Sequence, residues 1–124
     1  MKTRIEGSTP TGGYSPGVRA AGALVFVSGQ GPLRDGKFIE GCVAEQTRLT
    51  MNNVGSVLAA AGLGFSDIVR CNVYLADIAD FAEMDAAYSE FFDAAPPART
   101  TVGAALDGIA VEIDCIAVES EPQR

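Results

Sequence analysis

The order strands, helix, strand, helix, two strands predicts an α+β fold in which a mixed sheet carries two helices on one face. Two stretches, residues 43–61 and 81–91, repeat apolar residues at helical spacing. The segments around them are rich in branched and aromatic residues and are broken by glycine and proline. The 124 residues, 48% of them apolar, suit one domain spanning 1–124 with a single core.

Residues 2–6 read as a short strand, and the turn-rich stretch 7–13 leads from it to Tyr14. Residues 18–21 and 24–28 read as a hairpin turning at Gly22 and Ala23, and Gly29, Gln30, Gly31 and Pro32 end its second strand. A turn at 34–37 precedes a short strand at Phe38 and Ile39. In the first helix, positions 43, 47, 50, 51, 54, 57, 58 and 61 form one apolar or small face, and Gly62 stops it. The strand at 68–75 alternates Val69, Cys71, Val73 and Leu75 with Ile68, Arg70, Asn72 and Tyr74. Asp80 and Glu83 resemble a cap for the second helix, whose Phe81, Met84, Tyr88 and Phe91 lead toward Pro96 and Pro97. Residues 99–104 and 111–118 are the final strands, joined through a turn at Asp107 and Gly108. The late strands are apolar on both sides and one helical layer covers only one face. The other face is expected to meet further copies of the chain, a half-exposed sheet in a monomer being the other reading.

Composition removes several functions. Net charge is −7 and the nine basic residues are scattered singly, so there is no basic stripe for nucleic acid. The chain lacks histidine, and with it the commonest general base and metal ligand. Cys42, Cys71 and Cys115 are odd in number and widely spaced, which predicts reduced, buried thiols rather than disulfides or a zinc site. There is no apolar run of membrane-spanning length and no apolar stretch behind the first charged residues, so a soluble, cytoplasmic protein without membrane contact is expected.

Arg99 follows Pro96, Pro97 and Ala98 at the mouth of a strand, where a stiff approach suits a guanidinium fork that captures a carboxylate. A surface ion pair is the commoner role of an arbitrary arginine. Glu112 and Asp114 share one face of the last strand, so a carboxylate able to orient water is expected near the same sheet surface as Arg99. Ser28 offers a hydroxyl and Gly29 close backbone approach, although a plain strand-ending turn accounts for both. Their glycine pattern lacks its third glycine, replaced by Arg34, and excludes a dinucleotide loop. Tyr14 is divided between packing and binding. Cys71 reads as core filler, and Asn52 and Asn53 as solvent or capping contacts.

The segments Tyr14-Ser15, 25–30, Gln46-Thr47, Asn53-Val54, 60–62, 67–70, Tyr88 with Phe91-Phe92, 97–100 and Val111–Val118 together resemble the RidA (YjgF-type) family over nearly the whole chain. The resemblance implies a chorismate-mutase-like fold, a homotrimer enclosing a central barrel, and three clefts between subunits. It implies that Arg99 binds the substrate carboxylate, that Glu112 positions water, and that Tyr14, Ser28 and Gly29 line the cleft. The activity implied is hydrolytic deamination of reactive imine or enamine acids (2-aminoacrylate, 2-iminopropanoate, 2-iminobutanoate) to 2-oxo acids and ammonia, a metabolite damage control role needing no metal or cofactor. Asp85 stands where family deaminases often have asparagine, and Thr101 where some have cysteine. The alternative is a non-catalytic module that binds 2-oxo acids or other small carboxylates in the same cleft. The ribonuclease activity attached to some relatives is disfavoured by the acidic charge and absent histidine.

Overall fold

The computed structural model describes residues 1–119. Eight strands and two α-helices follow one another as β1 (Lys2–Ile5), β2 (Gly17–Ala20), β3 (Leu24–Gln30), β4 (Leu33–Arg34), β5 (Lys37–Phe38), α1 (Val43–Ala60), β6 (Ile68–Leu75), α2 (Phe81–Ser89), β7 (Ala98–Gly103) and β8 (Val111–Val118). The main sheet has the order β3-β8-β6-β7. β8 is antiparallel to both neighbours, whereas β6 and β7 run parallel. A parallel pair needs a crossover, and α2 supplies it. The expected α+β sheet with two helices on one face is therefore present.

The core lies between sheet and helices. Met51, Val54 and Leu58 from α1 and Met84 and Tyr88 from α2 meet Val27, Cys71, Val73, Leu75, Val111, Ile113, Cys115 and Ala117 from the sheet. Each large apolar side chain buried this way contributes roughly 1.5–3 kcal/mol. The helical stripe of α1 is narrower than its spacing predicts, because Val57 and Ala61 are exposed. Gly62 ends α1 with φ +76°, the left-handed conformation that glycine adopts most readily.

Several pairings differ from the sequence expectation. β2 does not form a hairpin with β3; it pairs with β1, and β3 pairs with β8. Gly22, at φ +138°, redirects the chain between the two strands. The short hairpin is instead β4–β5, turning at Asp35 and Gly36, both of positive φ. β7 and β8 are not paired with each other either, since β6 lies between them. An irregularity between Ile68 and Arg70 brings Ile68 onto the core face, away from Arg70 and Asn72.

Helix ends and polar core residues also depart from expectation. Asp80 makes no capping hydrogen bond, whereas Asp77 accepts from the Ala79 N–H. Glu83 serves the other helix, its Oε2 accepting from the Ala44 N–H 3.1 Å away at the start of α1. Asn53 is no solvent contact; it donates to the carbonyls of Gly31 and Leu33 at 2.8 and 2.9 Å and anchors the segment after β3. Cys71 and Cys115 are buried and free, but Cys42 is exposed at the N-cap of α1. No described helix is long and apolar enough to cross a membrane.

Candidate active site

Arg99 lies in register with Cys71, which itself pairs with Cys115, so its side chain enters the face covered by helices. The residue is 7% exposed, and its guanidinium lies 4.7 Å from the ring centre of Tyr88, 5.2 Å from that of Tyr14 and 5.4 Å from that of Phe81. Aromatic faces attract a cation but accept no conventional hydrogen bond in its plane. Nη1 stands 2.7 Å from Asp85 Oδ1, an ion pair. Beyond Asp85, the Arg99 nitrogens find no acceptor among the described residues. A buried cation with unused donors invites an acceptor. A cleft of about 280 Å³ lined by Thr11, Tyr14, Phe81, Arg99, Thr100 and Thr101 opens onto it. The Thr101 hydroxyl is buried there, likewise without a partner.

The loop over Arg99 is stitched down locally. Ser15 N–H donates to Pro97 O at 3.1 Å, and its hydroxyl donates to Pro96 O. The Tyr14 hydroxyl bonds Thr11 through both the side chain and the backbone N–H, which holds the phenol pKa below its ordinary value. Gly13 N–H donates to Asp85 Oδ1 at 2.9 Å. Tyr14, Asp85, Arg99 and Thr101 therefore form one cluster at the edge strand β7.

Gly29 and Glu112 meet at a second place, whereas Ser28, one residue earlier on β3, is seen only accepting at its carbonyl from the Gln30 side chain at 3.1 Å. A Cβ on Gly29 would come within 2.6 Å of Glu112 Oε2, so the missing side chain leaves room for this carboxylate. Glu112 makes no hydrogen bond or ion pair among the described residues. Asp114, two residues on, is fully engaged: it accepts from Asn72 at 2.8 Å and from the Tyr74 hydroxyl at 3.0 Å, and this raises the Tyr74 pKa. Of the two strand carboxylates, Glu112 is the one available to a water molecule.

The expectation that Arg99 and Glu112 share a sheet surface is not met within one chain. Glu112 pairs with Tyr74 and Arg99 with Cys71, positions of opposite parity, so they point to opposite faces. Gly29 on β3 and Arg99 on β7 are also three strand spacings apart, about 14 Å. A larger hollow of about 330 Å³ between Arg34, Glu40, Glu45 and Arg48 contains none of these groups. Among the described residues, no cluster of three His, Cys, Asp or Glu side chains is placed to hold a metal ion.

The β7 cleft thus opens onto a buried guanidinium already paired with Asp85, a planar fork of the geometry that matches a carboxylate. Residues 5–119 match the family described as Endoribonuclease L-PSP. The chain is 43% identical to the mitochondrial protein mmf2 of Schizosaccharomyces pombe, over 87% of this chain and 89% of that one. It is 37% identical to the putative reactive intermediate deaminase TdcF of Escherichia coli, over 97% and 99% of the two chains. The crystal structure of E. coli TdcF with bound serine superimposes with a TM-score of 0.74 at 34% identity, covering 94% of this chain and 92% of that one. The chain belongs to the YjgF/RidA family.

Proposed function

We propose that this protein is a deaminase that hydrolyses 2-imino and enamine acids to 2-oxo acids and ammonia, without a cofactor, in clefts shared between copies of a homotrimer. The observation that carries the reading is the buried, aromatic-flanked Arg99, with N–H donors left over beyond its pairing with Asp85, at the floor of an open cleft. The deaminase name of TdcF supports the reaction class, and the serine bound to that relative supports a small amino-acid-like ligand. A cytoplasmic role in metabolite damage control accompanies this reading.

In this reaction Arg99 holds the substrate carboxylate and Glu112 of a second copy orients a water molecule toward C2. Water adds to the C=N bond, the nitrogen gains a proton, and the C–N bond of the tetrahedral adduct breaks to release ammonia and leave the 2-oxo acid. An imine carbon is already electrophilic, so a fixed substrate and an oriented water lower the barrier mainly through placement, and no histidine is needed. This reading calls for two copies, since Arg99 and Glu112 face opposite sides of the sheet in one chain. Net charge −7 and scattered basic residues favour this reading over the ribonuclease chemistry in the family's description.

The test generates imines from several amino acids with an amino-acid oxidase, traps them with semicarbazide, and follows diversion to free 2-oxo acid. The wild type should divert them and Arg99→Ala should lose about 100-fold or more of that activity, with a thermal melt checking its fold. No diversion by the wild type sinks the deaminase. Carboxylate binding without turnover, lost in Arg99→Ala, would identify the non-catalytic module in its place.

A further inference from the structure

We propose that Asp85 is a built-in counter-ion that makes the Arg99 cleft select zwitterionic carboxylates over monoanionic ones, and so favours a protonated imine over the 2-oxo acid formed from it. The proposal deepens the deaminase reading and rests on it for the identity of the ligands.

Arg99 Nη1 and Asp85 Oδ1 are 2.7 Å apart, with the arginine side chain 1% and the aspartate side chain 22% exposed. The pair is held by backbone on its open side. Gly13 N–H donates to the same Oδ1, and a Cβ on Gly12 would come within 2.9 Å of Arg99 Nη2 and 3.0 Å of Asp85 Oδ1. A Cβ on Gly13 would collide with the Ser89 hydroxyl. The two glycines therefore let the loop close directly over the ion pair. Asp85 makes the only ion pair of Arg99 among the described residues, and no hydrogen bond to its Oδ2 occurs among them.

The consequence is a question of charge. Guanidinium and carboxylate together sum to zero in a largely dehydrated place. A bound 2-oxo acid adds one negative charge with nothing to offset it, close to Asp85, where weak screening makes the repulsion strong. A protonated imine adds the same carboxylate together with a cationic nitrogen on the adjacent carbon, so the cluster stays neutral. Hydrolysis converts one into the other. Water gives its oxygen to C2 and both of its hydrogens to the nitrogen, the C–N bond breaks, and the protonated imine carboxylate becomes the 2-oxo carboxylate and one ammonium ion. When the ammonium leaves, the cleft is left with an unbalanced anion beside Asp85, which promotes its departure.

Pyruvate and L-alanine share a skeleton and differ at C2 by a carbonyl against an ammonium group, so calorimetric titration with each isolates the charge. In Asp85→Asn the acceptor for Gly13 N–H is kept and the charge removed. Pyruvate should bind this variant about ten-fold tighter than wild type, while L-alanine binds no tighter, so that the affinity ratio moves by about ten-fold. An unchanged ratio, or one that moves toward L-alanine, overturns the proposal. The wild type gives an independent check should the variant misfold: it should bind L-alanine at least as tightly as pyruvate, and tighter pyruvate binding overturns the proposal, as does binding of neither ligand. Turnover plays no part in these titrations. A wild type that shows the charge preference but diverts no imine leaves the selectivity standing and removes only the deaminase.

Discussion

Gly29 matters for what its absent side chain leaves free. A methyl group there would press on Glu112, whose carboxylate must move or tilt to make room. Gly29→Ala should therefore lower imine hydrolysis about ten-fold or more while changing stability by less than about 1 kcal/mol, as steady-state kinetics beside a urea titration would show. Gly29→Ala with undiminished turnover would remove Glu112 from the reaction. At this scale the sequence is a good guide to which residues matter and a poor one to where they point. Arg99 stands out through the prolines before it, yet its face depends on pairing with β6, a strand far back in the sequence. Period-two alternation puts Glu112 and Asp114 on one face but is silent on Tyr74 and Asn72 taking up Asp114 alone. Asp85 is visible as a departure from the family pattern; its contact with Arg99 arises only when α2 packs beside β7.

Among the elements, the two central strands carry a consequence for alkaline stability. Cys71 and Cys115 face each other across β6 and β8, and burial pushes their thiols up to about 11 and about 12 from an ordinary 9.0. Below about pH 9 folded and unfolded chains hold the same thiol protons, so this contribution to stability is complete. As pH rises from there toward about 11, the unfolded chain loses protons that the folded chain keeps, and stability falls. Urea midpoints at about pH 8 and about pH 10.5 should differ in that direction, and by less in Cys71→Ala. Equal midpoints would mean that the thiols are not dehydrated in the folded chain. Both helices and the long strands 68–75 and 111–118 were legible from periodicity, because that signal is local. Strand partners were not, since β2 can pair with β1 or β3 on alternation alone and the choice is made by β8 taking the place beside β3. Gln46 and Asn53 were equally hidden: each binds backbone brought to α1 only by the folded chain.

For the whole molecule, the face of the sheet without helices is the outstanding feature. Phe26 is 68% exposed, Leu24 54% and Val102 43%, and they share that face with Tyr74, Ile116 and Glu112. Phe26→Lys should convert a trimer into smaller species, measurable as mass by light scattering, and a wild-type monomer would refute the shared cleft outright. Apolar residues on both sides of the late strands made this face legible beforehand, though the sequence did not separate it from the Arg99 side. The position of β8 has a further bearing, on the order in which the protein is made. Of the eight strands among the described residues, β8 is the last to leave the ribosome and yet lies between β3 and β6, with Leu24 paired to Val118. Until it arrives, β3 and β6 each present a bare edge to the cell, and α1 and α2 have only part of a sheet to rest on. Those open edges are sites for wrong pairing until β8 enters the sheet between them.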